Sequence, residues 1–266
     1  MTNPPRKRSD ARTVAKLARL NRVRTLLRLA VLLGCFAPLS PAFAQRQGEP
    51  QAPQFDVAAV TPFRDSFAMV LGQARGWQVY AMERTATGFL FTDRFSLGPA
   101  DNGNAEVLLD SRLKPIRVQS TGLTFGMSST GDVHYAGQHA TGFASRPTRT
   151  GSTRVPIDTV LPSGSFDNEA LMGLILTLDW HPGAQYALTM FYADEGDIAT
   201  QRLTVVAEED IIIPMGSRHV FRAELTDLTD TTTEATMSIW VTTTKPHRIV
   251  KERSAIEETV LVAASP

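Results

Sequence analysis

The sequence predicts a mainly β protein: a curved antiparallel sheet, or a half-open to closed β-barrel, of about ten strands with one inserted helix near residues 167–178. Three observations carry this. Apolar residues alternate with period two from Trp77 almost to the C-terminus, the spacing that puts them on one face of a strand. Turn residues break the alternation at short intervals, as hairpins require. One apolar run alone has helical spacing.

Taken in order, Trp77, Val79 and Ala81 alternate with Gln78, Tyr80 and Met82, and Phe89, Phe91 and Phe95 share a face interrupted by Asp93. Asp101–Asn104 reads as a turn by composition, before Ala105, Val107 and Leu109. Ile116 and Val118 follow Pro115, and the pattern then weakens through the Gly- and Thr-rich residues 121–146. Residues 146–154, with Arg146-Pro147 and Thr150-Gly151, read as an exposed loop. The helix signal is Asp167 as a cap, then Leu171, Leu174, Ile175 and Leu178 at i, i+3, i+4 and i+7, stopped by Pro182-Gly183. Tyr186, Leu188, Met190 and Tyr192 form a strand that turns at Asp194–Asp197 and returns through Leu203–Val206. Ile211–Ile213, a Pro214–Ser217 turn, Phe221–Leu225, Ala235–Val241, Ile249-Val250 and Val260–Val262 complete the pattern.

The N-terminus has a different logic. A basic arm to Arg28 precedes a short apolar run, Leu29–Phe36, and a small-x-small close at Ala42-Phe43-Ala44. That arrangement is a secretory signal, with cleavage between Ala44 and Gln45. The apolar run is shorter than the roughly 20 residues a bilayer span needs, so no transmembrane segment is expected in the mature chain. Leu32-Leu33-Gly34-Cys35 supports a second reading, lipidation at Cys35. Residues 1–44 are thus the signal, 45–54 a polar, Pro-rich flexible linker, and 55–266 one β-rich domain, exported to the periplasm or beyond.

The full chain carries 27 basic and 27 acidic residues. Removing the signal takes away nine basic side chains and Asp10, leaving 18 against 26 and a net charge of −8. That excess disfavours nucleic acid as a partner. Cys35 is the single cysteine, so the mature chain forms no disulfide.

The stretch Ser165–Lys251 resembles a family of exported bacterial proteins known as a domain of unknown function. The resemblance rests on Phe166-Asp167 opening a short apolar helix, Pro182-Gly183, and the acidic strand Glu209–Ile213 ending in Pro214-Met-Gly216. The Trp-bearing strand Met237–Val241 and Pro246-His-Arg-Ile-Val-Lys251 close it, and Leu108–Asp110 with Leu113–Arg117 fit the same pattern upstream. Arg218-His219 depart from it, standing where a small residue and an aromatic are usual. The resemblance implies an exported β-rich domain without assigned chemistry. A more distant analogy of fold is to periplasmic lipoprotein carriers, which hold acyl chains against a concave sheet.

No residue pattern calls for a cofactor, a metal or catalysis. Of the five histidines, His134 and His139 lie five apart, on opposite faces if on one strand. Asp194, Glu195 and Asp197, and likewise Asp227, Asp230 and Glu234, lack calcium-loop spacing. Gly126–Gly131 fails the nucleophile-elbow spacing around Ser128. The aromatics are the candidates that remain: Phe89, Phe91, Tyr186, Tyr192 and Trp240, on strands, where they fill a core or line a groove for an apolar small molecule or lipid. The expected function is therefore a non-enzymatic binder of a lipid-like ligand in the sheet concavity. The alternatives are a structural protein docking other envelope proteins and an unrecognised hydrolase.

Overall fold

The computed structural model describes residues 50–124, 126–148, 151–228 and 235–265. The expected signal, Cys35 and the Ala44–Gln45 junction lie outside them.

Eight strands follow one another as hairpins: β1 (Phe63–Leu71), β2 (Ala74–Arg84), β3 (Gly88–Gly98), β4 (Asp101–Asp110), β5 (Pro115–Thr124), β6 (Met127–Ala136), β7 (His139–Thr148) and β8 (Gly151–Val160). The two-residue β9 (Phe166–Asp167) leads into a 3-10 turn, Asn168–Ala170, and a short helix α1 (Leu171–Ile175). Six further strands complete the chain: β10 (Gln185–Tyr192), β11 (Asp197–Ile213), β12 (Gly216–Asp227), β13 (Met237–Thr242), β14 (Ile249–Ser254) and β15 (Glu257–Ser265).

All 15 strands belong to one sheet, ordered β8 to β1, then β15 to β9. The two meanders join where β1 pairs antiparallel with β15, and β9 alone runs parallel to its neighbour, β10. This order imposes the shape. β8 and β9 are opposite edges of the sheet yet consecutive in the chain, linked by residues 161–165. Laid flat, the edges would stand about 67 Å apart at the usual strand spacing. The link reaches about 20 Å at most. The sheet must therefore roll.

It rolls without closing. The edge strands do not pair with each other, but the Tyr135 hydroxyl on β6 donates to Asp167 on β9, tying one edge over the other meander. Breaks in register at Ser66/Phe67, Ser96/Gly98, Leu108/Leu109, Val205/Ala207 and Trp240/Val241 supply local bends, since an extra residue in one strand kinks and twists it.

The inner face is apolar. Phe67, Met69, Met82, Phe89, Phe91, Val107 and Leu109 are almost wholly buried, as are Leu174 and Ile175 of the helix. Asp167 caps as the sequence predicts, accepting from the Glu169 amide at 2.9 Å, but what it caps is the 3-10 turn Asn168–Ala170, and α1 itself starts at Leu171. It is shorter than the 167–178 expected, because the chain tightens into turns after Ile175 and Trp180 Nε1 takes the Ile175 carbonyl at 2.8 Å. Gly173 explains how it lies so close to the sheet. A Cβ there would come within 2.7 Å of the Phe91 ring and 3.0 Å of Met82 Cε.

Four further expectations are corrected. The sheet has 15 strands, not about ten. Asp101–Asn104 opens β4 instead of turning, and the described residues of 146–154 are strand, the end of β7 and the start of β8. Leu203–Val206 and Ile211–Ile213 are parts of one 17-residue strand, β11. At 101–104 and 146–154, ladder pairing with the adjacent hairpin strands overrides a polar or Gly-rich composition. Gln51, inside the expected linker, bridges to Tyr186, its amide donating to the Gln185 carbonyl at 3.1 Å.

Gly173→Val forces a branched side chain into the contact between helix and sheet. It should lower the unfolding free energy by about 1–3 kcal/mol, the usual cost of overpacking, read by urea denaturation monitored by circular dichroism.

Candidate functional site

The five aromatic candidates do not gather around a cavity. Phe89, Phe91 and Tyr186 are 2 %, 1 % and 8 % exposed and belong to the main core. Phe91 packs against Tyr80 with ring centres 5.8 Å apart, and the Tyr186 hydroxyl donates to the Asp179 carbonyl at 2.5 Å. Tyr192 is half-buried at the end of β10. Trp240 lies on the other face of the sheet, as its buried neighbours Ile239 and Val241 require. There it donates to Glu209 Oε1 at 2.7 Å beneath the Lys251 ammonium.

The inner face carries an unexpected polar row. Strand alternation brings Gln78, Tyr80, Asp93, Glu252 and Thr259 to the same side as the core phenylalanines. Gln78 Nε2 donates to the Tyr80 hydroxyl and to Asp93 Oδ1, each at 2.9 Å, and Tyr80 donates to Glu252 Oε2 at 3.3 Å. Among the described residues, Glu252 Oε1 and Thr259 Oγ1 have no hydrogen-bond partner, although the two residues face each other across β14 and β15. Burial above all, with the Asp93 carboxylate second, pushes the Glu252 carboxyl up to about 8 against the Tyr80 hydrogen bond, which pulls it down. The side chain is thus a neutral acid at neutral pH, sealed in the roll. Beside it, Arg248 reaches Asp65 at 2.8 Å, where burial raises the Asp65 carboxyl and the guanidinium opposes the shift.

Two hollows differ sharply in kind. A space of about 20 Å³ lies at the seam, between Val118, Ser120, Gly131, Asp167 and Asp194, with room for about one water molecule. The other is an open trough of about 570 Å³ crossing β2 to β6, within the range of small-ligand sites. The register shows which face it occupies. Trp77 pairs with Ser96, Ser96 with Asn102, Asn102 with Leu123, and Leu123 with Ser128. Arg94, Asn104, Thr121 and Thr130 form the next such row. Both rows alternate with the buried positions, so the trough lies on the outer face, away from the core. Its floor includes Gly103 and Gly122, paired with each other. A Cβ on Gly122 would sit 2.4 Å from the Asn102 carbonyl, so the glycines permit the close approach that bends the sheet here.

A family model described as protein of unknown function (DUF3108) matches residues 69–255. The chain belongs to this family. The match extends beyond the Ser165–Lys251 resemblance and its upstream Leu108–Arg117 part, and takes in the trough and all of the buried polar row but Thr259. The DUF3108 chain is also similar to a solved structure, a beta-barrel-like protein of domain of unknown function DUF1849 from Brucella abortus. The two are 12 % identical, the likeness covers 77 % of this chain and 97 % of that one, and the TM-score is 0.49. No curated protein matches it.

Other residues considered from sequence are held in local pairs. His134 and His139 stand on neighbouring strands, not one, and approach Asp132 at 3.3 Å and Asp158 at 2.6 Å. His219, on the ribbon of β11 and β12, contacts Asp210 at 2.9 Å and Glu208 at 2.7 Å, and these hydrogen bonds raise its pKa. Ser128 and Ser129 sit on β6 and line the trough. Asp230 and Glu234 fall outside the described residues. Among the described residues no group of His, Cys, Asp and Glu is placed to hold a metal ion, and no helix is long and apolar enough to cross a membrane.

Sequence reasoning missed the trough. Its side chains come from stretches read as a turn (Asn102, Asn104) or as weak pattern (Thr121, Ser128). Trp77 alternates with Tyr80 and Met82 between two equally apolar faces, which left its exposure undetermined.

Glu252 binds its proton more tightly folded than unfolded. Its contribution to stability is therefore intact below its ordinary value of 4.5 and is lost as pH rises toward about 8, at up to about 1.4 kcal/mol per pH unit. Glu252→Gln should flatten this decline, so that denaturation midpoints of the variant exceed those of the parent at pH 8 and approach them at pH 5.

Proposed function

We propose that this protein is a non-enzymatic binding and scaffold protein of the cell envelope, and that it recognises its partner on the outside of the roll. The observation that carries this is the packing of the inner face. Phe89, Phe91 and Tyr186, the residues a carrier would need around its ligand, are buried members of one core cluster, with Phe91 packed against Tyr80 and against the helix at Gly173. The open hollow of ligand size is on the opposite face. A lipid-like ligand in the concavity, the reading favoured by composition, would require those side chains and α1 to withdraw from a packed interior, at a cost of several kcal/mol in lost apolar contact.

Envelope location rests on the N-terminal pattern of basic arm, apolar run and Ala42-Phe43-Ala44. The non-catalytic reading rests on the absence of a nucleophile, phosphate-loop or metal-ligand pattern in the sequence. The most perturbed carboxyl group, Glu252, is sealed from solvent, whereas acid–base work needs a group within reach of substrate.

Native mass spectrometry of protein purified from the envelope should give the mass of the bare polypeptide, with no extractable lipid. The same preparation, immobilised, should retain an envelope component in stoichiometric amount. A co-purifying acyl lipid displaced by mutation of Phe91 would instead restore the carrier reading.

A further inference from the structure

We propose that the outer-face trough over β2–β6 is a binding site for a neutral oligosaccharide. This rests on the reading above that recognition occurs on the outside of the roll, and it names the ligand class.

The lining decides the chemistry. Among its described residues Arg94 is the one ionisable side chain. Its charge is already engaged, by Asn104 Oδ1 at 2.6 Å and by Glu106 Oε1 at 3.4 Å. The trough therefore offers an anion no free cation and a cation no carboxylate. What it does offer is hydroxyls from Ser96, Thr121, Ser128 and Thr130 and amides from Asn102 and Asn104, of which Ser96 and Asn102 also bond the Gly98 backbone, Asn104 bonds Arg94 and Glu106, and Thr130 bonds Ser145. Such groups donate and accept in about equal measure, which is what vicinal sugar hydroxyls demand.

The aromatic group sets the orientation. Trp77 is 49 % exposed at one end of the trough. An indole left half in water on a polar surface presents an apolar plate with a polar edge. The C–H face of a pyranose ring covers such a plate while its hydroxyls turn to the neighbouring amides. Leu123 adds a smaller apolar surface.

Size and backbone exclude the main rivals. From β2 to β6 the trough crosses about 19 Å at the usual strand spacing, which fits a short oligosaccharide better than a single sugar. An extended peptide would bind by adding to a sheet edge. Here β2 to β6 are each paired on both sides, so no backbone ladder is open to it. An acyl chain would leave the amides and hydroxyls dehydrated without partners, which is costly.

Isothermal titration calorimetry of the full chain against cellotetraose, maltotetraose and N,N′,N″,N‴-tetraacetylchitotetraose tests this. Saturable binding of at least one is expected, weakened tenfold or more by Trp77→Ala and by Asn104→Ala, and largely kept by Trp77→Phe. Thr121→Trp, at an exposed position in mid-trough, should abolish binding without changing the circular dichroism spectrum, which guards against a variant that merely misfolds. No saturable binding of any of the three, or binding that Trp77→Ala and Thr121→Trp leave unchanged, overturns the inference. If the sugars fail while an envelope component is still retained, the trough assignment falls alone. If a lipid is found inside the roll, the outside-recognition reading falls whatever the sugars do.

Discussion

The short link between β8 and β9 governs this molecule. It connects opposite edges of a 15-stranded sheet with five residues, so the sheet must curl until its two ends lie near one another. Everything else accommodates that requirement. Bulges bend individual strands, paired glycines let β4 and β5 approach closely, and Tyr135 reaches across to Asp167 in place of the missing backbone ladder. A flat sheet of this size would leave both faces wet. Rolling it makes one face an interior and the other a surface.

The interior then has to be filled, and the roll is narrow enough for side chains and one short helix to fill it. Gly173 brings α1 against Phe91 and Met82, which places helix atoms where a carrier would keep its ligand. The buried row from Gln78 to Thr259 runs through this apolar filling. Its hydrogen bonds satisfy Gln78 and Tyr80, and the Glu252 carboxyl stays neutral because a charge at that place would be expensive. Such a row specifies how the strands register, since a slip by one residue would carry the polar groups outward and apolar ones into water.

Recognition is left to the outside. There the same twist and glycine bends that shape the roll hollow out a trough, lined by the alternate residues of the strands whose other residues build the core. One sequence thus writes two surfaces at once. Trp77 and Tyr80 lie three apart in β2 and serve opposite sides. This coupling mounts the trough's hydroxyls and amides on the same strands that carry the core, the kind of preorganisation that favours binding.

Membership of a β-rich domain, the Asp167 cap on the turn that leads into the helix and the hairpins of the C-terminal half were determined by the sequence alone, because alternation, capping and turn chemistry act over a few residues. The helix end was not, since α1 stops at Ile175, well before Pro182-Gly183. The strands from Thr121 to Val160 were illegible: their Gly, Ser and Thr content signals a loop locally, and only pairing with neighbours makes them a sheet. Which face of each strand is buried was likewise undecided wherever both faces are apolar, as at Trp77–Met82. Whether aromatic strands enclose a ligand or a helix depends on how tightly the sheet curls. That is set by contacts between residues more than a hundred apart, such as Tyr80 with Glu252, and tertiary structure alone brings those together.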